Sequence, residues 1–556
     1  MAELSTPLRT VLGFSLVVNL AMLAPSIFML QVYDRVLTTR SVETLWMLGI
    51  IAGTTLVLMG LLDHLRARTL SAIGVQIEQQ HGPRLLRQLL VSAARDGGRS
   101  YADGMRDLAL IRNFLAGAGV VALCDAPWTV VYLALIFAFS TELGLLATVF
   151  TVLLVLLAVV NERATRGTIA ELHDGSRQAA QVVDASLRNA EVVAALGMPV
   201  AVVHRWQAHV DRNHALQLQL SHIGGRITAL SRFSRQAIHV MMLGYGAYLV
   251  IHDGATPGVM LATTIILARA LAPVEMLIGN WKTMVDARQA LGRLRAVLEQ
   301  PTEGEVTTAL PRPLGRLSAE GLGYRPPGAD RPLLHGVSLQ AEPGQVLAIV
   351  GPSGSGKTTL ARLLVGVTRP SAGHVRLDGA DLASWDPVRL GAWVGYLPQG
   401  VELFDGTVGE NIARLGPIDS DAVVAAAQAA RAHELILRLP AGYETRVGEG
   451  GNRLSGGQRQ RVALARALYG EPALVILDEA DASLDAEGEQ ALLEAIRALK
   501  ARGATVLVIT QRRGVLAAAD TVIVMKDGAI DRTATVEPTA GVPAVRAVPS
   551  VMEAKR

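Results

Sequence analysis

The 556-residue chain is too long for one ordinary domain, and 50% of its residues are hydrophobic. Its mean hydropathy of +0.34 is too high for a wholly soluble protein and too low for a chain lying entirely in a membrane. A net charge of only +3, with basic residues scattered among apolar segments, argues against a nucleic-acid-binding protein. The single cysteine, Cys124, excludes an intrachain disulfide and a cysteine-based metal site, and its apolar neighbours indicate a small buried residue.

The first half of the chain contains apolar runs long enough to cross a membrane. A spanning helix needs about 20 apolar residues, and the run from Val11 to Val32 meets that length. It has a weakly charged start and no small-residue cleavage site, which favours an uncleaved helix over a signal peptide. We predict six spanning helices, at about residues 11–32, 45–62, 116–139, 145–160, 238–251 and 260–278.

The charges between these runs predict their orientation. Arginines are concentrated in residues 63–115 and 161–235, whereas the turns at residues 140–144 and 252–258 contain neither Lys nor Arg. Two arginines in the first turn are the exception. Because basic loops stay in the cytoplasm, the pattern predicts six crossings with both termini cytoplasmic.

The two arginine-rich segments are too long to be simple loops. Leucines recur in them with helical spacing, so we interpret the segments as cytoplasmic extensions of the spanning helices. Their charges indicate solvated helix faces, with a substrate- or lipid-contacting role as the alternative. Asp125 lies within the third predicted span, close to Pro127. An ionisable residue there is either a functional site or the mark of a break or interface in the helix.

The composition changes after residue 300. A polar stretch punctuated by prolines predicts a linker over residues 301–316. Strand-like and helical runs then alternate over residues 317–531, which is typical of an α/β domain with a largely parallel sheet. Residues 532–556 are rich in Ala, Pro, Val and Thr without periodicity, and we expect a disordered tail. The fold class is therefore an all-α membrane domain, residues 1–300, followed by an α/β domain.

A phosphate-binding loop follows one of the predicted strands. The strand Val346–Val350 leads into a G-x-x-x-x-G-K-[ST] motif and then into a helix, which is the context this motif requires. Its backbone N–H groups and the helix N-terminus would surround phosphate oxygens. Lys357 would contact the β- and γ-phosphates, and the Thr358 hydroxyl would ligate magnesium. The predicted nucleotide-binding residues here are Gly351, Pro352, Ser353, Gly354, Ser355, Gly356, Lys357, Thr358 and Thr359.

Two carboxylates end a later apolar strand. Asp478 and Glu479 follow Leu474–Leu477. Asp478 would hold magnesium, directly or through water. Because side chains alternate along a strand, Glu479 points elsewhere and is the candidate base for polarising the attacking water. A solvated loop is the alternative, which the phosphate loop earlier in the chain disfavours.

The segment Leu454–Gln458, with the sequence LSGGQ, lies between these two motifs and opens a helical run. By itself Ser-Gly-Gly is an ordinary turn and helix cap. In this order the three motifs resemble those of ATP-binding cassette (ABC) transporters, over about residues 317–530. The resemblance implies the cofactors ATP and Mg²⁺, and a homodimer. Ser455, Gly457 and Gln458 of one subunit would close over ATP held by the phosphate loop of the other.

The same resemblance assigns roles to further residues. Tyr324 resembles the aromatic residue that stacks on adenine. Gln399 resembles the residue that senses the γ-phosphate and magnesium. The segment Gly448–Gly451 resembles a loop that contacts membrane helices in exporters, and Asp485 a loop that crosses the dimer interface. The predicted metal ligands are Thr358, Gln399 and Asp478, and the predicted catalytic residues are Glu479, Gln511 and Gln399.

The membrane half resembles a narrower group. Phe28–Val36, with the sequence FMLQVYDRV, and Asp125–Trp128, with the sequence DAPW, are similar to the inner-membrane component of type I secretion systems. The branch that exports proteases, lipases and haem-binding proteins is the most similar, because that branch lacks the N-terminal peptidase-like domain of its relatives and the first predicted helix of this sequence begins almost at once. The resemblance implies ATP-driven export of an unfolded polypeptide with a C-terminal signal across the bacterial inner membrane. It also implies a periplasmic adaptor and an outer-membrane channel as partners.

Two other functions share the cassette motifs. One is an exporter of lipid or another small amphiphile, and the other is a weakly hydrolysing, nucleotide-binding regulatory membrane protein. The second is suggested by one departure from the family pattern, which expects Thr-His where this chain has Thr510-Gln511. A glutamine amide can donate a hydrogen bond but cannot carry a proton. We expect ATP binding to survive and hydrolysis to be slowed, unless other residues compensate.

Overall fold

A computed structural model describes residues 2–95, 103–252, 254–299, 310–326, 328–482, 484, 486–536 and 545–548. The chain divides into two compact units, one containing residues 1–89 and 102–299, the other residues 90–101 and 300–556. The first nine residues of the predicted linker, and Asp485, lie outside the described residues.

The first unit is built from helices, and residues 90–95 at the end of α4 are assigned to the second unit. A π-helical turn, Val32–Val36, continues the second helix, and α8 packs along α10. The helices are α1 (Ala2–Ala21), α2 (Ala24–Gln31), α3 (Leu37–Thr39), α4 (Val42–Arg95), α5 (Asp103–Leu115), α6 (Ala118–Asp125), α7 (Trp128–Phe139), α8 (Thr141–Arg188), α9 (Ala190–Ala195), α10 (Pro199–His252), α11 (Pro257–Gly279) and α12 (Trp281–Leu298).

Four helical stretches of the described residues are long and apolar enough to span a membrane: Arg9–Thr39, Val42–Ala94, Thr141–Arg188 and Pro257–Gly279. A fifth is present if Gly104–Leu115 and Ala118–Asp125, which meet at 50°, count as one. Six were predicted. The predicted third span is not continuous, because α6 ends at Asp125 and Pro127 caps the separate helix α7. The predicted fifth span is only the C-terminal part of α10, whose remaining length is polar.

A buried polar network connects four helices of this unit around Asp125. The Asp125 carboxylate accepts hydrogen bonds from Arg66 Nη1, at 2.9 and 3.1 Å. It also accepts one from Asn19 Nδ2 at 2.7 Å and one from the Ser15 hydroxyl. The Tyr132 hydroxyl donates to the backbone carbonyl of Asn19 at 2.9 Å. Of the two interpretations of Asp125, the structure therefore supports a helix interface, with α1, α4 and α7 meeting at the end of α6.

Asp34, from the FMLQVYDRV segment, caps α11. Its carboxylate accepts hydrogen bonds from the Thr256 hydroxyl at 2.6 Å and from the Gly258 backbone N–H at 2.9 Å. A carboxylate is favourable at this position because a helix N-terminus carries a partial positive charge and free N–H groups. A Cβ atom at residue 258 would lie 2.5 Å from the Asp34 carboxylate, so the contact requires glycine there.

The second unit contains two sheets. One is antiparallel, with strand order β2-β1-β4-β5, and the other has the order β11-β10-β9-β3-β8-β7-β6, of which β9-β3-β8-β7-β6 is parallel. The strands are β1 (Leu317–Tyr324), β2 (Leu334–Ala341), β3 (Val346–Val350), β4 (Ala372–Leu377), β5 (Ala380–Asp381), β6 (Val394–Leu397), β7 (Leu474–Asp478), β8 (Thr505–Ile509), β9 (Thr521–Lys526), β10 (Ala529–Val536) and β11 (Val545–Val548).

Helices cover the parallel sheet on both faces. Successive side chains of a strand point to opposite faces of the sheet, and here both sets are apolar, so both faces must be covered. In β3, Val346 and Ala348 enter one hydrophobic core, and Leu347 and Ile349 enter the other. The helices are α13 (Lys357–Val365), α14 (Pro387–Trp393), α15 (Val408–Ile412), α16 (Ser420–Ala429), α17 (His433–Leu437), α18 (Gly456–Leu468), α19 (Ala486–Ala501) and α20 (Arg513–Leu516).

The predicted tail begins inside this sheet. β10 extends to Val536 and pairs with β9 and with Val545–Val548, so ordered structure continues past the boundary predicted at residue 531. The sequence signal was weak because β10 has small and polar residues, such as Thr533 and Thr535, whose strand geometry depends on pairing with β9. The rest of the tail lies outside the described residues.

Candidate ATP-binding and hydrolysis site

The phosphate loop connects β3 to α13. Pro352, Ser353 and Gly354 form its exposed rim, whereas Ser355 is buried. Gly356 caps α13 with φ at 93°, a left-handed conformation that favours glycine. A Cβ atom there would also lie 2.5 Å from Leu334 Cδ2. The loop thus presents backbone N–H groups and the α13 N-terminus to one space, which suits phosphate oxygens.

Lys357 places its charge at the mouth of this loop. The residue is only 7% exposed, and its Nζ donates hydrogen bonds to the backbone carbonyls of Gly351, at 2.9 Å, and Pro352, at 2.8 Å. Carbonyl groups stabilise the ammonium group but do not neutralise it. Lys357 can therefore offer its positive charge to a phosphate.

Asp478 is the most unusual carboxylate of the site. It is fully buried, and neither carboxylate oxygen accepts a hydrogen bond from any described residue. Burial raises the pKa of Asp478; the nearby Thr358 hydroxyl opposes this shift, and the charge of Glu479 adds to it. A buried carboxylate without a partner costs free energy unless a cation compensates it. The Asp478 carboxylate and the Thr358 hydroxyl are hard oxygen donors that fit Mg²⁺.

Magnesium would need ligands from the nucleotide as well. The described residues contain no cluster of three or more His, Cys, Asp or Glu side chains that could hold a metal. Mg²⁺ commonly takes one or two protein ligands and completes its shell with water and substrate phosphates. The metal and the nucleotide would therefore bind together.

Glu479 and Gln399 meet directly, although they are far apart in the sequence. Gln399 Nε2 donates a hydrogen bond of 2.7 Å to Glu479 Oε2. Glu479 has φ at 51° although it is not glycine, and its backbone N–H donates to the Ile509 carbonyl at 3.0 Å. Strained backbone of this kind clusters at active sites. Glu479 is half-buried and Asp478 is fully buried, so the two neighbouring acids occupy different environments.

The LSGGQ segment forms the exposed N-terminus of α18. Ser455 and Gln458 form a capping box: Ser455 Oγ accepts from the Gln458 N–H at 3.3 Å, and Gln458 Oε1 accepts from the Ser455 N–H at 2.9 Å. Small residues at positions 456 and 457 leave the first turn uncovered. This N-terminus can receive an anion from outside the subunit.

Tyr324 and Gln511 lie at the edges of the site. Tyr324 ends β1, and its carbonyl accepts a 2.7 Å hydrogen bond from the N–H of Leu333, the neighbour of the Leu334 that packs against Gly356. Gln511 follows β8, is exposed, and makes no side-chain hydrogen bond to any described residue. It is therefore free to contact a ligand.

Sequence reasoning missed two buried residues that hold these loops. Asp481 Oδ2 accepts a 2.5 Å hydrogen bond from the Thr510 hydroxyl, next to Gln511. Gln460 Nε2 donates to the Ala480 carbonyl at 2.6 Å, just beyond Glu479. Asp481 lies just after Asp478 and Glu479, and this position was the available sequence signal for its importance. Its pairing with Thr510 left no signal in the sequence, because the two residues are far apart along the chain.

Comparisons with known proteins agree with this geometry. The family model described as ABC transporter matches residues 334–482, and the one described as ABC transporter transmembrane region matches residues 8–274. The solved structure of a bacterial Atm1-family ABC exporter with ATP bound has a TM-score of 0.79 and 26% identity, and the match covers 96% of this chain and 95% of that one. The chain belongs to the ABC transporter family. It is a multi-pass membrane protein whose cassette couples ATP hydrolysis to transport.

Its curated relatives identify the group within that family. The type I secretion system ATP-binding protein PrsD of Rhizobium meliloti is 43% identical over 92% of this chain and 89% of its own length. CyaB of Bordetella pertussis, a cyclolysin secretion/processing ATP-binding protein, is 34% identical over 94% of this chain and 74% of its own. LtxB of Aggregatibacter actinomycetemcomitans, a leukotoxin export ATP-binding protein, is 31% identical over 92% of this chain and 73% of its own length. These matches confirm the predicted fold class and the predicted membership of the type I secretion group.

Proposed function

We propose that this protein exports an unfolded polypeptide with a C-terminal signal across the bacterial inner membrane, using ATP. The observation that carries the proposal is the 43% identity over 92% of the chain to a type I secretion ATP-binding protein. Two more distant relatives are named for the secretion of cyclolysin and the export of leukotoxin. The proposal includes a periplasmic adaptor and an outer-membrane channel as partners, and cytoplasmic termini.

The cassette residues divide the work of hydrolysis. Lys357 and the phosphate-loop N–H groups hold the phosphates of ATP, and Tyr324 supports the adenine. Thr358 and Asp478, with Gln399 nearby, would hold Mg²⁺, which neutralises charge on the phosphates when bound. Glu479 polarises the attacking water, and Gln399 holds the Glu479 carboxylate through their 2.7 Å hydrogen bond.

A second copy of the chain completes each ATP site. The exposed capping box at Ser455 and Gln458 presents the α18 N-terminus away from its own subunit. In a homodimer this terminus would donate to the γ-phosphate of ATP bound by the partner, which closes the pair of cassettes. Hydrolysis then removes the group that both subunits hold, and the cassettes separate.

Cargo-dependent ATP hydrolysis tests the proposal and its alternatives. The purified protein, in lipid nanodiscs, is assayed with secreted proteins from the source bacterium, unfolded in urea and diluted, or with lipids of the same cell. Glu479→Gln protein measures contaminating ATPase. We expect polypeptides, and not lipids, to raise the ATPase rate. Stimulation by lipids alone would identify a lipid exporter. Bound ATP without hydrolysis under any condition would identify a regulatory protein, which the Gln511 substitution specifically suggests.

A further inference from the structure

Helix α11 carries an arginine near the middle of its membrane span. Arg269 lies about midway along the 23-residue helix Pro257–Gly279, which is the most enclosed of the four spanning stretches. At a rise of 1.5 Å per residue, it is roughly 15–18 Å from either end of the helix. That depth is close to the centre of a bilayer, where an ionisable residue marks a functional site by default.

Arg269 has no partner of its own within the described residues. Its guanidinium group forms no hydrogen bond or ion pair there, and it remains partly exposed. The Tyr132 hydroxyl, which is within its electrostatic range, already donates to Asn19. Arg66, by contrast, contacts both Asp63 and Asp125. An unpaired charge at this depth needs a counter-ion or water.

A proline removes the usual hydrogen-bond donor of a backbone carbonyl at the same position. Pro273 lies inside α11 and has no N–H, so the Arg269 carbonyl lacks the donor that a helix would supply four residues later. The adjacent carbonyl, of Ala270, accepts a 2.9 Å hydrogen bond from the Thr129 hydroxyl. That bond turns Ala270 toward α7. Arg269 therefore combines a cationic side chain with a carbonyl that lacks its usual helical donor, at one level of the membrane.

From Leu261 onward, the incompletely buried residues of α11 other than Leu277 form one stripe. They recur at intervals of three and four, as one face of a helix does. A stripe with two charges does not face lipid, so it faces either a water-filled path or a second subunit. Its members are Leu261, Ile265, Ala268, Arg269, Ala272, Glu275, Met276 and Gly279.

The positions of the acidic residues in the described spans show whether a second subunit could supply the counter-charge for Arg269. Asp125 contacts Arg66 at 2.9 Å, and Glu275 lies 3.4 Å from Arg235. Asp34 lies at the start of α11, and Glu43 and Glu142 lie in the first turns of α4 and α8. The remaining acids of α4 and α8 lie roughly 20 or more residues along these helices, about 30 Å from their starts and beyond the apolar segments: Asp63, Glu78, Glu162, Glu171, Asp174 and Asp184. An identical subunit would bring the same occupied or distant carboxylates. The counter-charge for Arg269 must then come from what passes through the transporter.

We propose that Arg269 is an anion-binding position on the translocation path, where its guanidinium binds Asp and Glu carboxylates of the polypeptide in transit. The carbonyl of Arg269, which lacks its usual helical donor, accepts a backbone N–H of the same segment. The inference rests on the proposed function and adds a preference for acidic cargo segments. An arginine suits this task because its planar fork binds a carboxylate through two hydrogen bonds.

The test uses two labelled, unstructured peptides of equal length, one of Gly, Ser and Glu, the other with Gln in place of Glu. Their binding to nucleotide-free protein in nanodiscs is measured by fluorescence anisotropy. The native protein should bind the Glu peptide about tenfold more tightly, as one charged pair worth about 1.4 kcal/mol predicts. Arg269→Gln should remove that preference. The matched control is Arg205→Gln, an exposed arginine in the polar N-terminal part of α10, which should keep it.

The other outcomes of this experiment also test the role of Arg269. An Arg269→Gln protein that keeps the preference, or that separates into monomers in size-exclusion chromatography, overturns the inference. ATP binding shows whether this variant is folded. If it is not folded, Arg269→Lys is tested instead. Lysine lacks the forked geometry of arginine, so the preference for the Glu peptide should fall severalfold. An unchanged preference would count against a carboxylate site. Polypeptides that stimulate ATPase without charge preference leave the export function intact and reject only the role of Arg269. Absence of any polypeptide effect rejects the export function.

Discussion

Gln399 holds the side chain of Glu479 through a hydrogen bond of 2.7 Å, from Nε2 to Oε2. Gln399 follows β6 and Glu479 follows β7, two neighbouring parallel strands, so the sheet brings the two residues together at one edge. The contact fixes the direction of the base before nucleotide binds. A single glutamine could thus serve both the orientation of the base and the sensing of magnesium.

Gln399→Ala should slow ATP hydrolysis by about 10- to 100-fold, since a hydrogen bond to a charged group is worth about 1.5–3 kcal/mol. ATP affinity should change little, because the phosphate loop is untouched. Steady-state ATPase and nucleotide-binding assays measure the two effects separately. Gln340→Ala, a change of an exposed glutamine on β2, is the control. Unchanged turnover would show that the contact does not position the base.

Asp478→Asn should stabilise the nucleotide-free protein while removing magnesium-dependent hydrolysis. Burial raises the pKa of Asp478 above its ordinary 3.8, so the folded state binds this proton more tightly than the unfolded state. Proton binding by Asp478 therefore adds to the free energy of unfolding at low pH, and this contribution is lost as the pH rises through the raised pKa. At pH 7 the amide should raise the Tm by about 2–4 °C, which corresponds to about 1 kcal/mol in a domain of this size. This increase in Tm should become smaller as the pH is lowered toward 4.

Thermal unfolding at several pH values checks this prediction. Asp405→Asn, at an exposed aspartate, provides the control and should not change the Tm. A variant that is less stable than the native protein at pH 7 would show that the Asp478 carboxylate has a stabilising partner in the absence of nucleotide.

Gln511→His should raise the rate of ATP hydrolysis by about tenfold. A protonated histidine donates a charge-assisted hydrogen bond to the γ-phosphate, roughly twice as strong as a neutral one, which is worth about 1.4 kcal/mol. The gain should be greatest at the acidic end of the assay range, where histidine is protonated. Arg513→His, which adds a histidine two residues away, is the control. Equal rates for the native and Gln511→His proteins would mean that glutamine suffices at this position.

The Asp125–Arg66 pair should show strong coupling. Asp125→Leu leaves Arg66 buried without its main counter-charge, and we expect a loss of about 3–5 kcal/mol. Arg66→Met combined with Asp125→Leu should be clearly more stable than Asp125→Leu alone, because no buried charge is left. Thermal unfolding in detergent for both single variants and the double variant gives the coupling. Additive losses would show that the two side chains do not stabilise each other.

The chemistry of the cassette could be predicted from sequence because its motifs are local. The phosphate loop, LSGGQ and Asp478–Glu479 each occupy a few consecutive residues, and the strands that position them are apolar. Contacts between distant residues could not be predicted in this way. Gln399 meets Glu479 across 80 positions, and Thr510 meets Asp481 across 29.

The membrane half was less predictable for a related reason. A search for apolar runs joined α6 and α7 into one span, although Pro127 separates them. It detected only the last part of α10, because the rest of that helix has polar residues and gains its stability from packing along α8. The environment of Asp125 required Ser15, Asn19 and Arg66, which lie on other helices.

The central claim, ATP-driven export of polypeptide, is tested most directly in the source bacterium. Glu479→Gln is introduced into the chromosomal gene, and proteins in the culture medium are compared by quantitative mass spectrometry with those of the native strain and of a Glu444→Gln control. The account predicts that at least one polypeptide disappears from the medium and accumulates in the cells of the Glu479→Gln strain only. An unchanged set of secreted polypeptides, accompanied by altered lipids or small molecules outside the cell, would contradict it.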